Sequence, residues 1–147
     1  MDRRKFLTWC SGLAIAALLL PKLAWAAVWN KPAFETTKLS EALQQLGARD
    51  IKQSQAIKLT APDKAENGAI VQIEVISEIP NTESIAILVE KNPTPLIAHF
   101  KFAEGTESFV ITRIKMAETS DITVLVKVGN QFFTQTKNVI VLENGCG

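Results

Sequence analysis

Histidine occurs once in the 147-residue chain, which excludes a multi-histidine metal site. Cysteine occurs twice, too rarely for a disulfide-dense scaffold. Seven glycines and six prolines rule out collagen-like or low-complexity sequence. A formal net charge of +1 leaves no electrostatic footprint for nucleic acid. A glycine-rich phosphate loop, zinc-ligand spacing and a nucleophile elbow are all missing. What is present is 47% hydrophobic and 21% charged. That is too charged for a membrane bundle, too apolar for a disordered chain, and of a length suited to one domain.

The first 26 residues read as an address. Arg3, Arg4 and Lys5 precede an apolar run, Phe6 to Leu20, and Ala24-Trp25-Ala26 fits a small-x-small cleavage pattern. The run is broken by Thr8, Ser11 and Gly12 and is shorter than the roughly 18 apolar residues a membrane span needs. Arg3-Arg4-Lys5-Phe6-Leu7 has the paired arginines of a twin-arginine signal, and Lys22 near the cleavage site discourages the general secretory route. Residues 1–26 are therefore expected to direct export to the periplasm and to be removed, leaving no membrane segment. Cleavage removes Arg3, Arg4, Lys5 and Lys22 but only Asp2 on the acidic side, so the charge balance turns slightly negative. It also removes Cys10, leaving Cys146 as the one cysteine of the mature chain.

The mature chain begins with a helical pattern. Leu39, Leu43 and Leu46 recur at helical spacing, Thr36-Thr37 stand where a cap belongs, and Gly47 supplies a stop. Beyond Ser54 the period changes to two. Ile57–Leu59, Val71–Ile76, Leu96–Phe102, Phe109–Met116, Ile122–Val128, Phe132–Thr136 and Val139–Leu142 read as short strands. Ile85-Ala86-Ile87-Leu88-Val89 is continuously apolar, as in a strand buried on both faces. Turn signals stand at Asn67-Gly68, Pro80-Asn81, Glu104-Gly105 and Gly129-Asn130. The expectation is an all-β antiparallel sandwich over residues 27–142 with one short N-terminal helix, a small barrel being the alternative.

Few residues carry chemistry. His99 sits in Ile97-Ala98-His99-Phe100, where strict alternation puts it on the face of Ile97; it reads as a structural histidine. Glu66 is expected in a turn, Glu118 and Asp121 on a loop around Thr119-Ser120, and Arg113, Lys115 and Lys127 as a basic strip near that loop. Ile114 and Met116 are expected to point inward. No catalytic or metal-binding residue is assigned, and no cofactor is expected.

The end of the chain differs. Residues 143–147, Glu-Asn-Gly-Cys-Gly, put a thiol between two glycines, one residue from the terminus. Cysteine is ordinarily a buried residue type, and this one has no apolar neighbours in sequence to bury it. Asn144, Gly145 and Gly147 form a flexible arm, and five residues extend at most about 17 Å. No Lys, Arg or His stands in the last nine residues to lower the thiol pKa, so Cys146 does not read as a self-activated nucleophile. An odd thiol in an oxidising compartment has two readings: a reactive carrier, or a cross-link between two chains of a non-catalytic binding module.

Several segments together resemble the SoxY family, the carrier Y subunits of the Sox thiosulfate-oxidation system. They are Ala65-Glu66-Asn67-Gly68, Val89-Glu90-Lys91-Asn92-Pro93-Thr94-Pro95-Leu96, the run from Thr112 to Asp121, and Asn144-Gly145-Cys146-Gly147. The resemblance implies an immunoglobulin-like sandwich that pairs with a SoxZ-type subunit. It implies covalent attachment of sulfur intermediates at Cys146, with Gly145 and Gly147 as arm residues. It further implies a haem enzyme that loads thiosulfate, a hydrolase that releases sulfate, and partners that process the remaining sulfane sulfur. The carrier itself catalyses none of these steps. The family tail commonly reads Gly-Gly-Cys-Gly-Gly; here Asn144 replaces the first glycine and the last is absent, which bears on partner preference.

Overall fold

The computed structural model describes residues 30–144. The leader, residues 1–26, and Gly145, Cys146 and Gly147 of the tail lie outside the described residues. Among the described residues two helices come first, α1 (Lys31–Glu35) and α2 (Leu39–Gln45). Nine strands follow: β1 (Lys52–Gln53), β2 (Ile57–Thr60), β3 (Lys64–Asn67), β4 (Val71–Ser77), β5 (Ser84–Val89), β6 (Leu96–Lys101), β7 (Phe109–Ile114), β8 (Ser120–Val128) and β9 (Gln131–Glu143).

They form two sheets. One runs β1-β9-β8-β5-β6, with β3 also on β9; the other is β2-β4-β7. The inner faces meet in the main core. Ile57, Val71, Ile73, Val75, Val110 and Ile114 from the small sheet pack with Ile85, Ile87, Val89, Ile122, Val124, Val126, Val139 and Val141 from the large one. Ile114 and Met116 point inward, as strand alternation requires. The large sheet is also covered on its outer face. Ala86, Leu88, Leu96, Leu125 and Phe132 pack there beneath Ala33 and Ala42 of the helices, with Leu39, Leu43 and Leu46 against them. This second layer explains the unbroken apolar run of β5, whose six residues are all buried. Each large aliphatic side chain so buried contributes about 1.5–3 kcal/mol of transfer free energy.

The sequence pattern misses four details. Residues 30–46 make two helices rather than one, because Asn30 caps α1 by accepting the Ala33 N–H at 3.3 Å. Thr36 closes α1, its hydroxyl donating to the Ala33 carbonyl, while α2 follows Lys38, which provides no side-chain cap. Gly47 does end α2: its φ of 74° lies in the left-handed region, and Ala48 N–H reaches back to the Leu43 carbonyl. The last two predicted strands are one continuous strand, β9, which pairs with β8 from Val128↔Gln131 to Ser120↔Val139. Glu66 lies in a strand, not in a turn. β3 and β1 both pair with β9 in parallel, so the otherwise antiparallel sheet has a mixed edge.

A β-bulge also moves His99. Between Ile87 and Leu88 the register of β6 slips by one residue, so Ile97 stands unpaired between Ala98 and Leu96. Ile97 packs on the main core, whereas His99 sits opposite Ala86 on the helix-covered face, beside Leu46 and Phe132. His99 and Ile97 therefore face opposite ways.

Candidate functional site

The sandwich has two poles, and the end of β9 fixes which one carries the tail. β9 runs through Glu143, so one residue assigned to the arm on sequence is strand instead. Parallel pairing with β3 sets Asn67 beside Glu143, and the Gly68 N–H donates to the Glu143 carbonyl at 2.9 Å. The Asn67 side chain then accepts the Ala69 N–H at 2.7 Å and turns the chain toward β4. The Gly68 carbonyl accepts the Met116 N–H at 2.7 Å, tying this corner to the end of β7. Asn144 is exposed immediately beyond.

Two further loops complete the pole. In the loop between β5 and β6, Asn92 donates through Nδ2 to the Lys115 carbonyl at 2.7 Å and accepts the Ala117 N–H through Oδ1 at 2.8 Å. The Ser120 hydroxyl accepts the Lys91 N–H at 3.1 Å, and Lys91 pairs with Glu118 at 3.5 Å. Thr119 closes the ring to the arm strand: its hydroxyl accepts the Val141 N–H at 2.9 Å. Asp121 accepts from the Asn138 side chain at 2.6 Å. Residues 65–68, 89–96 and 112–121 are thus gathered around the root of the arm that carries Cys146. They are far apart in sequence and share one set of hydrogen bonds.

Asn92 holds this ring by two bonds at once. Asn92→Ala removes both and leaves a backbone acceptor and a donor to solvent, so a loss of about 1–3 kcal/mol is expected. Urea denaturation measures the loss, and amide exchange should rise at Ala117 before it rises in β5.

Other predicted residues are not brought together. Asp121, expected on a loop, is the second residue of β8, and of residues 118–121 only Glu118 and Thr119 precede the strand in the loop. Lys127 is separated from that loop by most of the length of β8, about 23 Å at strand rise. It pairs instead with Glu83 at 3.0 Å, at the opposite pole. That hydrogen bond, with one from the Gly129 N–H and the Lys127 charge, holds the Glu83 carboxyl below its usual pKa. Arg113 and Lys115 are exposed, with Arg113 on the small sheet. The basic strip predicted from the sequence therefore does not exist as a unit. A cleft of about 620 Å³ also lies at the opposite pole, between residues 77–83 and 102–108.

His99 is half-buried, and burial, followed by the charges of Lys101 and Lys127, pulls its pKa below the ordinary imidazole value. Protonation thus favours the unfolded chain. Stability is full above the ordinary imidazole value of about 6.5 and is lost as pH falls through and below it. Urea midpoints over that range should fall for the wild type, and His99→Gln should flatten the slope.

Among the described residues no group of His, Cys, Asp and Glu is placed to hold a metal ion, and no helix is long and apolar enough to cross a membrane. The chemistry of the pole is a tether point. It holds the end of β9 by the pairing with β3 and by the bonds from Gly68 N–H and to the Thr119 hydroxyl.

Comparison with known proteins gives a consistent picture. The family model described as sulfur oxidation protein SoxY matches residues 43–146, a span that includes Cys146. The solved sulfur carrier protein SoxY from Chlorobium limicola f thiosulfatophilum superposes with a TM-score of 0.65 at 33% identity, covering 71% of this chain and 96% of that one. A chain from a structure of T cell specificity and activation by the superantigen toxic shock syndrome toxin-1 aligns at 14% identity, covering 58% of this chain and 99% of that one. Its TM-score of 0.40 carries no argument. No curated protein matches.

Proposed function

Because this chain belongs to the SoxY family, we propose that it is a periplasmic sulfur-carrier subunit that holds thiosulfate-derived intermediates covalently on Cys146. The observation that carries this reading is the convergence of three sequence segments around the end of β9, three residues before the only cysteine of the mature chain. That arrangement invests in a fixed tether and leaves the thiol to partners.

The chemistry follows from the thiol. Loading joins the cysteine sulfur to the outer sulfur of thiosulfate. The new S–S bond releases the thiol proton and two electrons, which an oxidising haem enzyme accepts. Hydrolysis of the resulting cysteine S-thiosulfonate then breaks its bond to the sulfonate sulfur. Water supplies the oxygen, sulfate leaves, and a persulfide stays on the carrier. Each step needs an active site, and that site belongs to the partner. Here the carrier supplies the nucleophilic sulfur and a fixed root for it. No Lys, Arg or His stands in the last nine residues to activate the thiol, so activation falls to the partner's pocket.

Residues 1–26 have the features of a twin-arginine leader, and that route carries folded proteins, which suits export together with a bound SoxZ-type subunit. Intact mass of the mature protein, taken from cells grown with thiosulfate and measured before and after reduction, tests the reading. Reducible additions of thiosulfate or sulfur on the peptide containing Cys146 are expected. A bare thiol or a simple disulfide dimer, with the oxidising partners present, would overturn it in favour of a cross-linked binding module.

A further inference from the structure

Resting on the carrier reading, a second property follows from how little chain separates Cys146 from the sandwich. Glu143 is fixed by its pairing with Asn67 and by the bond from Gly68 N–H. Covalent geometry allows three further residues at most about 11 Å, so the Cys146 Cα stays within that radius of the Glu143 Cα. An enzyme pocket that takes the sulfur must therefore bring its own rim against the surface around the root. A tether this short leaves no room to stand off.

That surface carries exposed apolar side chains. Six large hydrophobic side chains are exposed among the described residues, and three of them, Ile70, Ile140 and Leu142, belong to the strand end and the turn that meet at the root. Leu142 is 63% exposed and Ile70 66%. Ile140 and Leu142 lie two apart on β9 and share its outer face, flanked on β3 by Lys64 opposite Ile140 and by Glu66. Ile70 ends the turn that begins at Asn67, its N–H directed to the Asn67 carbonyl at 3.4 Å. It is one turn away from the residue that pairs with Glu143. Leu142 and Ile70 are spared burial by their own fold, yet both sit inside the radius that any servicing pocket must cover.

We propose that Leu142, Ile140 and Ile70 form a docking collar that seats the rim of the enzyme acting on the Cys146 sulfur. The patch is small, and a contact of this size is well below the area of a stable complex, which suits a carrier that must leave after each step. The apolar contact orients the partner; the short arm then delivers the sulfur.

The test uses the full mature carrier with the thiosulfate-oxidising haem enzyme of the same organism. The initial rate of adduct formation on Cys146, read by intact mass, is followed against carrier concentration. Leu142→Glu and, as a second variant, Ile70→Glu should raise the half-saturating carrier concentration about tenfold while the maximal rate is retained. Their direct reaction with a small aromatic disulfide reagent should match the wild type. Ile111→Glu, on the outer face of the small sheet, should change nothing. Unchanged half-saturation in both collar variants overturns the collar. Dissociation of a second subunit or a second copy on size exclusion also overturns it, because the patch is then a subunit interface. A wild-type carrier that does not load at all overturns the carrier reading and the collar with it.

Discussion

Cys146→Ser should abolish thiosulfate-dependent loading entirely while leaving melting temperature and subunit pairing at wild-type values. The expected effect is all or none, because a serine oxygen cannot enter the S–S bond on which loading depends. No compensating cysteine exists once the leader and Cys10 are gone. The fold should be indifferent to the change. Both apolar clusters are complete by Val141, and the last strand ends at Glu143. Intact mass after incubation with thiosulfate and the oxidising partner reads the first half of the prediction; calorimetry reads the second. Adduct on the serine variant would move the attachment site elsewhere and remove the reason for the arm.

The largest effect on stability is expected at the other extreme of burial. Ile87 is fully buried at the middle of β5, opposite Ala98 on one side and Val124 on the other. Ile87→Ala deletes methyl groups from a site bounded by both sheets, where relaxation is hindered. The expected cost is about 3–4 kcal/mol, within the range of large-to-small core substitutions. Urea denaturation at neutral pH should show the loss, and loading per folded molecule should be unchanged. Ile111→Ala, with its side chain 54% exposed, should stay within about 0.5 kcal/mol.

How far the sequence foretold this structure depends on what kind of contact made each element. β5 was legible because all six residues are buried, and α2 because Leu39, Leu43 and Leu46 form one stripe. β1 and β3 left no such mark. In Lys64–Asn67 only Ala65 is buried, and the strand exists through parallel backbone pairing with β9, which side-chain periodicity does not report. α1 is five residues long and depends on Asn30, whose capping role is indistinguishable in sequence from that of any loop asparagine. Alternation places His99 on the wrong face because it assumes an unbroken register and β6 contains a bulge. The segments around the arm root could be read individually. Their meeting could not, because it depends on bonds such as Asn92 to Ala117 and Gly68 to Glu143 that span loops and strands. Lys127 shows the converse error: proximity was inferred from likeness of charge, and a nine-residue strand carries it to the far pole.

On the proposed carrier reading, the fixed end of β9 also sets the kinetics of hand-over. With its root immobilised by Asn67 and Gly68, the sulfur is confined to a small hemisphere over one pole of the molecule. A partner seated at that pole meets it at an effective concentration on the order of millimolar or higher, whatever the amount of carrier in the compartment. Capture of the thiol then becomes nearly intramolecular. The encounter itself need not be tight, and a loosely held partner releases the product quickly, so weak docking and rapid turnover are served by the same three-residue tether.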